Sequence, residues 1–235
     1  MVLTLYKIDA SPPVRSVHMT IEALGLQDIQ YVDVNLLTGE HLKEEYLKMN
    51  PQHTVPLLKD DDFLVWDSHA IAVYLVTVYG NDDSLYPADP KKRAIIDQRL
   101  HFDSGILFPA LRGTVKTSFQ KHFFLINLKF QEPIFFFGEP SLNPASLEKI
   151  RKAYEFTEQL ITGDWMAGNE VTLADICCLS SISSMNELLP IDQEEFPNLA
   201  SWFERCSNLD FYQKGNLPGL AGFIGLLNMK LGEKN

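Results

Sequence analysis

Strand-like segments stop at residue 80. Before that point short apolar runs alternate with helical stretches; from Asp89 onward nothing reads as a strand. Residues 2–8 form an apolar strand that Asp9-Ala-Ser-Pro-Pro13 interrupts. A helix follows, with Val14, Val17, Ile21 and Leu24 at helical spacing and Gly25 as its stop. Residues 29–34 read as a second strand. After a polar stretch over 43–48, segments 55–58 and 63–66 read as two strands around the acidic turn 60–62. Ser68 then opens a helix that is apolar almost all round, and therefore buried. The order predicts a mixed sheet with helices on both faces.

The remainder carries helical signals only, near 90–115, 146–161, 173–188 and 197–207. Thr172-Leu-Ala-Asp175 is a capping-box variant, with Val171 and Ile176 placed to staple the helix start. The expected organisation is a small α/β domain over 1–80, a proline-punctuated linker over 81–89 and an all-α domain over 90–235. No internal repeat or low-complexity tract interrupts it.

Composition narrows the function classes. The 235 residues hold 20 Lys+Arg against 31 Asp+Glu, a net charge of −11. A chain so acidic, with no basic cluster, is not expected to bind nucleic acid. With 46% hydrophobic residues it is a globular, not a disordered, chain. The N-terminus alternates and lacks the plan of a secretory signal, and no run is long enough to span a membrane. The three cysteines, Cys177, Cys178 and Cys206, form no C-x-x-C pair, which suits a reducing, cytoplasmic setting and offers no metal site.

Three short segments can carry chemistry. Ser11 stands at a strand–helix turn, in position to cap the helix with Pro at its first position. Its hydroxyl, with the helix's first amides and positive dipole end, also suits a bound anion. For a thiolate, two units below the free value near 8.5 corresponds to about 2.7 kcal/mol of preferential stabilisation. A thioredoxin-type reductase would place cysteines three apart here, where this chain has Ser11 and Val14, so disulfide exchange is not expected. In Asn50-Pro-Gln-His-Thr-Val-Pro56, a cis peptide before Pro56 would expose the backbone of Val55 to an extended ligand. In Trp66-Asp67-Ser68-His69-Ala70, Ser68 and helix amides suit a carboxylate while Asp67 suits an ammonium. Taken singly, each segment is equally a cap or an ordinary loop.

Together, Ser-Pro-Pro-x-Arg, Asn-Pro-Gln-His-Thr-x-Pro and Asp-Ser-His-Ala-Ile resemble the cytosolic glutathione transferases. Leu36-Leu-Thr-Gly-Glu-His41, Leu85-Tyr-Pro87 and Leu100-His-Phe-Asp-Ser-Gly105 extend the likeness, most closely to the insect epsilon class and next to the delta class. The resemblance implies a thioredoxin-like N-terminal domain, an all-α C-terminal domain and a homodimer. It implies that Ser11 stabilises the thiolate of the co-substrate glutathione. His53 would meet the glycyl carboxylate, with His41 and Thr54 nearby. Val55, before a cis Pro56, would meet the cysteinyl portion. Asp67 and Ser68 would hold the γ-glutamyl head, and Arg112 would line the same site. Phe108, Leu111, Val115 and Phe119 would form the acceptor pocket for hydrophobic electrophiles.

Position 67 departs from the family, which more often has Glu there. The phenylalanine-rich stretch 119–137 is longer than its family counterpart and reads either as added core or as an aromatic wall on the acceptor pocket. The tail, with Leu220, Phe223, Ile224, Leu227 and Leu231 on one face and Gly215, Gly219, Gly222 and Gly225 weakening its helix, reads as a lid or as closure of the helical domain. The expected activity is glutathione transfer; a non-catalytic carrier of hydrophobic ligands and a glutathione-dependent elimination or isomerisation are the alternatives.

Overall fold

A computed structural model of the chain describes residues 3–36, 38–117 and 142–231. Phe119 and the stretch 119–137 lie outside them. Four strands form one sheet in the order β2–β1–β3–β4. The central strand β1 (Leu3–Lys7) runs parallel to β2 (Gln30–Asp33) and antiparallel to β3 (Leu57–Asp60), and β4 (Phe63–Trp66) runs antiparallel to β3. This is the mixed sheet that the segment order predicts. β3 begins at Leu57, not 55, because Pro56 has no N–H to give to the ladder.

Alternation along the strands sorts the two faces. Leu3, Leu5 and Leu58 pack with Val17 and Ile21 of α1 (Pro12–Leu24) and with Ile71 and Leu75 of α3 (Ser68–Tyr79). Tyr6 and Leu57 face the other way, toward Tyr46 of the short α2 (Glu44–Met49). α1 ends at Gly25, whose φ of 63° is the left-handed conformation a helix C-terminus favours. The expectation that α3 is buried all round does not hold. Ile71, Ala72, Leu75 and Val76 are buried, but Val78 is 52% exposed.

Beyond the sheet the described residues form helices α4 (Pro90–Phe102), α5 (Phe108–Thr117), α6 (Pro144–Leu160), α7 (Leu173–Asn186), α8 (Pro197–Ser207), α9 (Asp210–Gly215) and α10 (Leu217–Leu231). One helix was expected over 90–115. A π-helical turn, Asp103–Leu107, divides it, and the Phe108 amide closes that turn on the Asp103 carbonyl.

Every residue of α7 from Leu173 to Met185 is buried. The capping box at its start is present. Asp175 accepts from the Thr172 amide and also from the Met166 amide and the Trp202 indole, so one buried carboxylate joins three segments. α9 and α10 close on α1. A Cβ on Gly215 would lie 2.6 Å from the Met19 amide nitrogen, so only glycine allows this approach. Leu220, Phe223 and Leu227 of α10 are core residues, and in this structure the tail closes the helical half.

Candidate active site

Strand register brings the three chemistry-bearing segments to one end of the sheet. Leu57 pairs with Tyr6 on one side and with Trp66 on the other. The C-terminal ends of β1 and β4 and the N-terminal end of β3 therefore share an edge. The turn carrying Ser11, the Val55–Pro56 turn and the Asp67–Ser68 junction all leave from it.

Ser11 occupies the N-cap position of α1 with extended backbone, but its side chain makes no capping hydrogen bond. Pro12 and Pro13 fill the first two helical positions and have no N–H, which removes one of the two amides a cap normally takes; the other, that of Val14, remains, and the Ser11 hydroxyl does not take it. The same prolines correct one expectation: the helix start offers an anion only the Val14 amide, because the Arg15 amide already bonds the Ser11 carbonyl at 3.0 Å.

The loop before β3 is pinned from within. Asn50, 0% exposed, accepts from the Gln52 amide and donates to both the Thr54 carbonyl and hydroxyl; the Tyr46 hydroxyl donates to the same carbonyl at 2.6 Å. The Trp66 indole donates to the Gln52 side chain at 3.0 Å. So fastened, His53 adopts a left-handed φ of 48°, and the Val55–Pro56 bond is cis, as the sequence led us to expect. His41 lies beside it, with ring centroids 6.0 Å apart. His41 is 8% exposed and its Nδ1 has no hydrogen-bond partner among the described residues. Burial, and secondarily His53, lowers its pKa, so the ring is biased toward the neutral form.

Asp67 caps α3 with one carboxylate oxygen, Oδ1, accepting from the amides of His69 (3.0 Å) and Ala70 (3.1 Å). Those amides are therefore not free to hold a ligand carboxylate, as the sequence reading supposed. The Ser68 hydroxyl and amide and the other Asp67 oxygen remain. Asp67 has φ 75° and ψ 122°, outside the ordinary regions for a side-chain-bearing residue, at a cost of order 1–3 kcal/mol.

The helical half reaches the site through His69, whose Nε2 lies 2.9 Å from Oδ2 of Asp103 in the π turn. α5, which follows that turn, carries half-buried Phe108 and Arg112. Leu111 and Val115 are 2% and 6% exposed and belong to the helical core, which leaves them little surface for an acceptor. Desolvation lowers the pKa of Arg112.

This arrangement has relatives. The sequence profile for the glutathione S-transferase N-terminal domain matches residues 5–83, and that for the C-terminal domain matches residues 114–210. The chain is 63% identical over 220 residues to glutathione S-transferase 1 of Manduca sexta, covering 93% of this chain and 94% of that one. The chain belongs to the glutathione S-transferase family. It is 38% identical to glutathione S-transferase D6 of Drosophila melanogaster over 99% of this chain and all of that one. Among solved structures, an epsilon-class glutathione S-transferase from the housefly, Musca domestica, superposes with a TM-score of 0.83 at 38% identity, covering 97% of this chain and 98% of that one. The thioredoxin-like sheet domain and the helical domain are thus those of a glutathione transferase.

Sequence reasoning missed the scaffold of this transferase's site. Asn50 was part of a quoted motif, and its place two residues before Gln52 is the spacing of an Asx turn, so a local signal existed. Tyr46 reaches Thr54 eight residues on, and His69 and Asp103 pair across 34 residues; neither contact leaves such a signal.

Proposed function

We propose that Ser11 is the group through which this glutathione transferase activates its co-substrate, and that the enzyme is of the epsilon class. The carrying observation is a hydroxyl at the N-cap position that the helix does not use. Glutathione transfer to a hydrophobic electrophile needs its thiol ionised near neutral pH. A hydroxyl donating to sulfur stabilises the thiolate by about 1.5–3 kcal/mol, comparable to two pKa units. The rest of the tripeptide follows the sheet edge: γ-glutamyl group at Asp67 and Ser68, cysteinyl backbone at Val55 before Pro56, glycyl carboxylate at His53 with His41 and Thr54 beside it. In this reading Arg112 of α5 lines the glutathione site and half-buried Phe108 the acceptor side; Leu111 and Val115 are core residues with little surface to add, and Phe119 lies outside the described residues. Binding both substrates at one edge supplies proximity, a second source of rate. Carrier and elimination or isomerisation readings find no specific feature in their favour.

The test is Ser11→Ala. Turnover with a panel of electrophiles should fall on the order of a hundredfold, while glutathione affinity by calorimetry stays within a few-fold. Unchanged turnover would remove Ser11 from the mechanism.

The same reading takes the chain as a cytoplasmic homodimer with domains over 1–80 and 90–235 joined by 81–89. Phe63 on β4, Val78 on α3 and Ile95 on α4 support an interface, being 49%, 52% and 41% exposed despite their size. No described helix is long and apolar enough to cross a membrane. Sedimentation at micromolar concentration should give twice the chain mass; a single-chain mass would overturn the dimer.

A further inference from the structure

Arg15 is fully buried, yet no carboxylate among the described residues bonds it. Its guanidinium donates to the hydroxyls of Ser183 and Ser184 and the carbonyl of Ser180, all on α7, and to the side-chain oxygen of Asn216 between α9 and α10. Its Nε has no partner among the described residues. All of these acceptors are neutral. They solvate the cation without cancelling it, and a buried charge left uncompensated is normally strongly unfavourable. Burial lowers the Arg15 pKa to about 9, with Tyr212 and Glu187 opposing, which still leaves the group charged at neutral pH.

Its position gives that charge a use. Arg15 stands one helical turn after Ser11, on the same face of α1, and long helical side chains lean back toward the N-terminus. Its stem lies under the turn itself: a Cβ on Gly219 would sit 2.2 Å from the Asp9 carbonyl oxygen and 2.7 Å from Arg15 Cδ, so loop and stem meet at one point. The two prolines remove two of this helix start's amides and leave that of Val14, so the usual helix-end contribution to anion binding is reduced just where a cation is installed behind it.

We propose that Arg15 is a positioning residue for the thiolate, its uncompensated guanidinium behind the Ser11 turn being balanced by the sulfur anion when glutathione binds. In that step the S–H bond breaks, the electron pair stays on sulfur and the proton passes to solvent. The proposal rests on the thiolate reading of Ser11.

The other charged groups around the turn do not replace Arg15. The Asp9 carboxylate is held by Lys7 and His18. On α9, Tyr212 acts on Arg15 only through space, and Lys214 pairs with Asp210. Glu187, at the end of α7, is exposed, and Asp175 is enclosed by its own donors. On α3, His69 is engaged with Asp103, and Tyr74 and Tyr79 with Asp60. α10 has no ionisable residue before Lys230. At the sheet edge stand His41, His53 and Asp67, and Arg112 lies on α5.

The deciding variant is Asn216→Asp, which keeps Arg15 and its hydrogen bond but supplies the missing counter-ion. Bound glutathione is titrated through the ultraviolet absorbance of its thiolate, alongside the pH profile of turnover. The expected result is a thiol pKa raised by about one unit, hence about tenfold less thiolate and turnover at low pH, with recovery at high pH. The melting temperature should hold or rise, and affinity for S-methylglutathione, which has no ionisable thiol, should not move. Arg15→Met should raise the thiol pKa likewise. Arg15→Lys, which loses the same forked hydrogen bonds but keeps a charge, should restore it. A folded Asn216→Asp enzyme with the wild-type thiol pKa would overturn the proposal, whether or not the Arg15 variants fold. A wild-type enzyme whose bound thiol titrates at the free value would instead overturn the thiolate reading, and this proposal with it.

Discussion

His69 and Asp103 join the two halves of the molecule beside the site, Nε2 to Oδ2 at 2.9 Å, with both side chains largely withdrawn from water. Burial alone would lower the histidine's pKa, but the hydrogen bond and charge of Asp103, helped by Asp67, outweigh it and the pKa is raised. A raised histidine pKa contributes stability that is complete below the unfolded value near 6.5 and is lost as pH rises through the folded value. Asp103→Asn should therefore lower the melting temperature most at acidic pH, and the gap to wild type should narrow on the alkaline side. A gap independent of pH would show that the pair does not titrate.

Asp67 holds a strained backbone in order to cap α3. Asp67→Gly relieves φ 75° at the cost of the cap, and glycine is itself a tolerable N-cap residue. Stability should stay within about 1 kcal/mol of wild type or rise, while glutathione affinity should fall on the proposal that Asp67 holds the γ-glutamyl ammonium. Calorimetry of binding and unfolding on the same variant checks both halves; a parallel loss of both would mean the residue serves only the fold.

Asn50→Ala removes three hydrogen bonds from a residue with no exposed surface and leaves the Gln52 amide and Thr54 carbonyl short of partners. The expected cost is about 2–4 kcal/mol, and KM for glutathione should rise more than kcat falls, because the loop carrying His53 and Val55 loosens. Tyr46→Phe, which removes one bond to the same carbonyl, should cost about 1 kcal/mol and move KM in the same direction.

Asp175→Ala should be far more damaging than Thr172→Ala. The threonine supplies one cap, worth about 0.5–2 kcal/mol. The aspartate satisfies the Met166 amide, the Thr172 amide and the Trp202 indole inside the core, so its loss should cost on the order of 3–5 kcal/mol. Comparable unfolding midpoints for the two variants would contradict this division.

Local rules carried much of this molecule. The strand–turn–helix pattern around Ser11, the strands flanking 60–62 and the Thr172 cap are set by neighbouring residues, and each appears where the sequence places it, within a residue or two. The π turn at Asp103–Leu107 was not legible, since helical periodicity survives a single inserted residue and only the bonding pattern changes. Nor was the competition at Asp67 for the first amides of α3, because a residue suited to bind an ammonium is equally suited to cap. Arg15 lay inside the motif Ser-Pro-Pro-x-Arg, but its uncompensated burial depends on Ser183, Ser184 and Asn216, more than 160 residues away in the chain.

The contact of α9 and α10 with α1, made through Gly215 and Gly219, has a consequence for ancestry and engineering. A chimera that joins the first eighty residues of this enzyme to the helical half of a relative would exchange more than an acceptor pocket. It would also replace the wall behind Ser11, including the side chains that solvate Arg15. Halves of this fold are therefore not interchangeable cassettes: recombination between relatives should succeed where the α1 contacts are inherited together with the tail, whatever the acceptor specificity on either side.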